Sequence, residues 1–181
     1  MLHRVLRWRS LAWPGFEHLE VRESAERIDA RGVTIGELDG VRYGAAYHAE
    51  LGAGWVFRSI RIERTDGEAL TLVSDGAGRW QDGDGRPLAA LDGCIDIDLS
   101  GSPFTNTLPI RRHRFETGTP QRFDMAWIPL STLKPFRDGQ IYTRLADGRF
   151  RYQAADGSFE QVIEVDADGF VVRYPTLFEA M

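Results

Sequence analysis

Residues 138–174 read DGQIYTRLADGRFRYQAADGSFEQVIEVDADGFVVRY, and this stretch decides the fold class. Asp-Gly pairs begin at Asp138, Asp147 and Asp156, nine residues apart, and again at Asp168. Asp-Gly supplies the positive φ angles of tight hairpin turns at little steric cost. The intervening runs, 140–146, 149–155, 159–166 and 170–174, are short and rich in aromatic and β-branched residues. Within them Phe150, Tyr152 and Ala154 share one face, as do Phe159, Ile163 and Val165, which is the period-two pattern of strands. The stretch reads as a meander of hairpins.

The same device extends towards the N-terminus. Asp-Gly occurs ten times in 181 residues, and between the pairs lie alternating runs such as Leu6, Trp8 and Ser10 against Arg7 and Arg9. Further strands are expected at 17–23, 27–35, 41–51, 55–65, 69–74, 79–82, 95–99, 108–115 and 121–130. A short helix is expected only at Pro129 to Pro135, with Ser131 as its N-cap. A dozen or more strands are too many for one flat sheet, so the sheet should curl and present a concave side. With no Pro/Ser-rich linker, the expectation is one all-β, meander-rich antiparallel domain spanning 1–181.

Composition narrows the function classes. The 43% apolar and 27% charged content suits a globular chain, and a net charge of −5 argues against nucleic acid as a partner. The single cysteine, Cys94, excludes an internal disulfide. No run of about 18 apolar residues predicts a membrane-spanning helix. The Arg-interrupted N-terminus does not read as a secretory signal, so a cytoplasmic protein is expected.

Acid, base and amide are densest in residues 92–114, DGCIDIDLSGSPFTNTLPIRRHR. Asp96 and Asp98 sit two apart on a strand, so their carboxylates project from one face about 6–7 Å apart. They could serve as an acid/base pair, or form an outward polar face opposite Ile95, Ile97 and Leu99. Asp96 to Gly101 approaches a calcium loop, but Ser100 and Thr107 stand where ligands are needed. On a strand, Arg111 and His113 would face one side and Arg112 and Arg114 the other. These arginines could hold a phosphate or carboxylate headgroup or answer the local aspartates. Cys94 between acidic neighbours reads as buried and inert. His3, His18, His48 and His113 lack metal-ligand spacing, and Gly52-Ala53-Gly54 is no dinucleotide fingerprint, so neither metal nor cofactor is expected. Trp80 and the other four tryptophans could line a ligand cavity or pack the core.

The run CIDIDL (94–99) followed by SPFTNTLPIRR (102–112) resembles the signature of the bacterial glycolipid-binding family, long grouped as a domain of unknown function. The likeness extends to Gly78-Arg79-Trp80 and to Val172-Arg173-Tyr174-Pro175. It implies a spiral β-roll similar to the half-barrels of periplasmic lipoprotein carriers. With that resemblance, the first reading of function is a non-catalytic protein that holds a lipid or glycolipid in the concave side, and the residues' own chemistry makes Trp80, Asp96, Asp98, Asn106, Arg111 and Arg112 the candidate ligand-binding residues. Alternatives are a carboxylate-dependent enzyme using Asp96 or Asp98, and an interaction module or homodimer.

Overall fold

A computed structural model describes residues 2–146 and 148–181. The Asp147 turn expected from the sequence falls on a residue outside that set. Seven strands precede the 92–114 stretch: β1 (Leu2–Ser10), β2 (Phe16–Glu23), β3 (Arg27–Leu38), β4 (Val41–Gly52), β5 (Val56–Arg64), β6 (Ala69–Ser74) and β7 (Trp80–Asp82). Then come β8 (Asp96–Leu99), the six-residue helix α1 (Thr107–Arg112), β9 (Pro120–Ile128), β10 (Phe136–Ala146), β11 (Arg149–Ala154), β12 (Glu160–Val165), β13 (Val171–Tyr174) and β14 (Phe178–Ala180). All lie in one sheet, ordered β7-β6-β5-β4-β3-β2-β1-β14-β13-β12-β11-β10-β9-β8. The sheet is therefore two meanders joined where β1 meets β14, and it is not closed into a barrel. Among the described residues no helix is long and apolar enough to cross a membrane.

Alternation places a core on one face of each meander. In the first half, Leu19, Val21, Ile28, Ala30, Tyr47, Phe57, Ile60 and Ile62 are buried with Trp8 and Trp80. In the second, Phe123, Tyr142, Phe150, Tyr152 and Tyr174 form an aromatic cluster with Ile163 packed among them. Burying each large apolar side chain contributes roughly 1.5–3 kcal/mol, so these faces dictate the curl. β8 is an edge strand buried on both sides: Ile97 and Leu99 join the first core, and Asp96 is fully buried on the opposite face.

Several local expectations are corrected. β8 and β9 pair in parallel, so the sheet is mixed rather than wholly antiparallel. Asp138-Gly139 is not a turn but part of β10, paired with Met125 and Asp124 of β9. Any Cβ at Gly139 would lie 2.8 Å from the Ala155 methyl, so this glycine permits close approach instead. The helix is at Thr107–Arg112, not at Pro129–Pro135, and residues 108–115 are no strand. Pro109 explains the swap: in the first turn of a helix its missing N–H costs nothing, whereas within a sheet it removes a ladder bond. At 129–135, Leu133 has φ of 53° and the chain makes a single turn. The loss of the 108–115 strand also removes the expected placement of Arg111 and Arg112 on opposite strand faces.

Two glycines make the packing possible. Gly32 lies opposite Tyr47, whose ring occupies the space a Cβ would need. Gly101 has φ of 81°, and a Cβ there would come within 2.2 Å of the buried Tyr43 hydroxyl. Gly101→Ala should therefore combine left-handed backbone strain with overpacking and cost about 2–4 kcal/mol. Urea unfolding of the variant checks this, and a loss below about 0.5 kcal/mol, the level of an ordinary surface change, would contradict the assigned packing.

Candidate functional site

The segment 102–112 lies inside the curl between the two meanders. Pro103–Asn106 forms a 3-10 turn that runs into α1, and residues 102–109 are all buried. Phe104 and Leu108 join the first core, while Ile110 packs against the second. The segment is a plug, apolar on both sides and anchored by polar contacts.

Those contacts form a closed chain. Thr105 Oγ1 donates to Asp98 Oδ1 (2.9 Å), and Gln140 Nε2 donates to Asp98 Oδ2 (2.5 Å). The Tyr142 hydroxyl donates to Gln140 Oε1 (3.2 Å) and accepts from Asn106 Nδ2 (2.8 Å). The chain thus starts and ends on adjacent plug residues, passing through β8 and β10. Burial pushes the Asp98 carboxyl above its ordinary range, against the Thr105 and Gln140 hydrogen bonds. Asp96 is pushed up to about 7 by burial, although Arg112 Nη1 stands 3.3 Å from its Oδ1 and favours the charged form. Neither aspartate belongs to an outward, solvated face, because their side of β8 is covered by β10 and the plug.

The other expected residues are dispersed. Arg111 Nη1 donates to the Asp168 carbonyl (2.7 Å), its Nη2 lies 3.3 Å from Glu23, and its guanidinium sits 4.5 Å over the Trp55 ring. Trp80 is buried among the first core, stacked on Phe57 at 5.2 Å, with its indole N–H on the Cys94 carbonyl. The structure therefore joins Asp98 with Asn106 and Asp96 with Arg112, holds Arg111 over Trp55 beside Glu23, and sets Trp80 apart.

Beyond the C-terminal end of α1 the concave side stays open. A cleft of about 600 Å³ is lined by Ile110, His113, Arg114, Phe115, Glu116, Arg144 and Phe150. A second hollow of about 420 Å³ shares Ile110, Arg144 and Phe150 and runs past Arg111 and Val165. Phe115 and Phe150 meet edge to face at 5.2 Å, giving the cleft an apolar floor, and His113, Arg114, Glu116 and Arg144 give it a polar rim with two arginines and one carboxylate. Of these, the sequence marks only the Arg-Arg-His-Arg run, because Arg144 of β10 and Phe150 of β11 lie 30 and 36 residues beyond Arg114.

The family model described as "Putative glycolipid-binding" matches residues 5–180. The chain belongs to this glycolipid-binding family. A solved structure of a DUF1089 family protein from Pseudomonas aeruginosa is similar over 91% of this chain and 92% of its own, at 36% identity and a TM-score of 0.80. No curated protein matches. Within this glycolipid-binding family member, the 102–112 signature segment is the plug.

One further buried site was not visible as a motif. Glu17 Oε1 accepts from the Tyr47 hydroxyl (2.5 Å) and from Ser102 Oγ (2.6 Å), tying the start of the plug to β2 and β4. Its other oxygen is buried without a hydrogen bond. The signal in the sequence is that Glu17 shares a strand face with Leu19 and Val21.

Proposed function

We propose that the protein holds an amphiphile, a lipid or glycolipid, in the part of the concave side that the plug leaves open. The observation that carries this reading is the cleft itself: an apolar floor of Ile110, Phe115 and Phe150 beneath a polar rim of His113, Arg114, Glu116 and Arg144. Such a cleft buries a hydrocarbon chain on its floor and leaves a polar headgroup at the rim, within reach of arginine donors. The family's description is consistent with this ligand class. Neither Asp96 nor Asp98 lines the cleft, which counts against an acid/base role for those two aspartates there.

The test is mass spectrometry of lipid extracted from purified protein, followed by titration with the lipid found. Ile110→Asn should weaken binding by roughly 10–100-fold, the equivalent of about 1.5–3 kcal/mol of apolar contact. Asp84→Asn, on an exposed turn of the first meander, should leave affinity unchanged. Absence of any bound or bindable lipid, or equal affinity in the Ile110 variant, would refute the assignment.

A further inference from the structure

The outer face of the first meander carries a cluster unrelated to the cleft. In the antiparallel pairing of β3 with β4, Asp29 faces Glu50 and Arg31 faces His48. The neighbouring residues Ile28, Ala30, Ala49 and Leu51 are buried on the inner face, so Asp29, His48 and Glu50 all project outward. Two carboxylates directly opposite one another on a sheet repel. Here they converge with an imidazole so that one donor atom from each of the three lies within 4.8 Å of the others.

The surrounding contacts orient this group. Arg31 Nε donates to Asp29 Oδ1 at 2.9 Å, and Ser59 Oγ of β5 donates to Glu50 Oε2 at 3.2 Å. Each carboxylate therefore has one oxygen fixed by a neighbour and a second directed elsewhere. Asp29 Oδ2 already touches His48 Nε2 at 2.7 Å, and the nearest cation to Glu50 Oε1 is Arg27 Nη1 at 3.9 Å. Outer-shell donors of this kind fix the orientation of ligating carboxylates in metal sites. The three side chains range from 15% exposed for Asp29 to 44% for Glu50, so a hydrated ion has access.

We propose that Asp29, His48 and Glu50 form a binding site for a borderline divalent cation of the zinc class. One imidazole and two carboxylates, without a thiolate, suit Zn²⁺, Co²⁺ or Mn²⁺, and three protein ligands leave a coordination position for water. The ion would replace the Asp29–Glu50 repulsion with a shared positive centre. Local spacing could not reveal the site, because only the β3–β4 register brings Asp29 beside the His48-x-Glu50 pair.

Isothermal titration of the full chain with Zn²⁺ tests this, alongside His48→Ala and Glu50→Gln. The expected result is one zinc per chain in the parent. Each variant should bind at least about tenfold more weakly, a drop that even loss of an outer-shell partner can produce. Co²⁺ should give visible d–d bands without thiolate charge transfer, and these should fade in His48→Ala. Both positions are on the outer face, and unchanged thermal melts of the metal-free variants will verify folding. Glu50→Gln keeps the test open if His48→Ala fails to fold. Failure of the parent to bind saturably, or binding that survives in the folded variants, would overturn the proposal.

Discussion

At pH 8, Glu17→Gln is expected to be more stable than the parent protein by about 3 kcal/mol, and at pH 5 the gap should shrink to about 1 kcal/mol. Glu17 is 2% exposed and, among the described residues, no Lys, Arg or His pairs with it. Burial lifts its carboxyl from 4.5 to about 7, although the Ser102 and Tyr47 hydrogen bonds favour the charged form. Below about pH 4.5 the group is protonated in both folded and unfolded chains and costs nothing. Between 4.5 and 7 the unfolded chain releases the proton while the folded chain keeps it, so stability falls as pH rises. Above 7 the full difference is present, at about 1.36 kcal/mol for each pH unit separating the two values. Glutamine keeps an oxygen for Tyr47 and Ser102 and removes the titration. Urea unfolding of both proteins at pH 5 and pH 8 measures the gap, and a gap independent of pH would show that Glu17 is not the buried acid described.

Phe104→Ala is expected to cost about 3–5 kcal/mol, the range for truncating a buried aromatic residue. Phe104 is 1% exposed in the middle of the plug, 6.4 Å from the Trp55 ring. Domains are commonly stable by only about 5–15 kcal/mol, so this single truncation removes a large share of the total. Arg114→Ala, ten residues away and exposed, should stay within about 0.5 kcal/mol. Denaturant midpoints for both variants separate the two roles. A loss under about 1 kcal/mol at Phe104 would mean that the plug does not fill the curl.

The strands were legible wherever one face meets water. The Asp-Gly turns at Asp156 and Asp168, with alternation, marked the meander from β11 to β13 because its outer face carries residues such as Arg151, Glu164 and Arg173 while Tyr152 and Ile163 point inward. Alternation misled at β8, where acid and apolar residues also alternate. The pattern is the same whether the acidic side meets water or another protein layer, and here it meets Gln140 and Tyr142. Sequence could not supply that layer. The helix was a different kind of miss, since Pro109 carried the local signal against a strand. For the candidate site, the basic run was visible and the apolar floor was not. Phe115 and Phe150 are brought together by the curl rather than by proximity in the chain.

The junction of β1 with β14 joins strands that are far apart in the chain. Its register contains three residue pairs, Trp8 with Ala180, Arg9 with Glu179 and Ser10 with Phe178, against eight between β1 and β2. The chain between the partners is 170 residues long, so nothing local holds the junction shut. Side chains compensate: the Trp8 indole N–H reaches the Val171 carbonyl at 2.7 Å, and Arg4 bridges to Asp166 and Asp168. A zipper this short, closed between partners so distant in the chain and fastened by a few lateral clasps, is one place where the sheet can part. Backbone amides flanking it should exchange with solvent through openings that leave each meander intact.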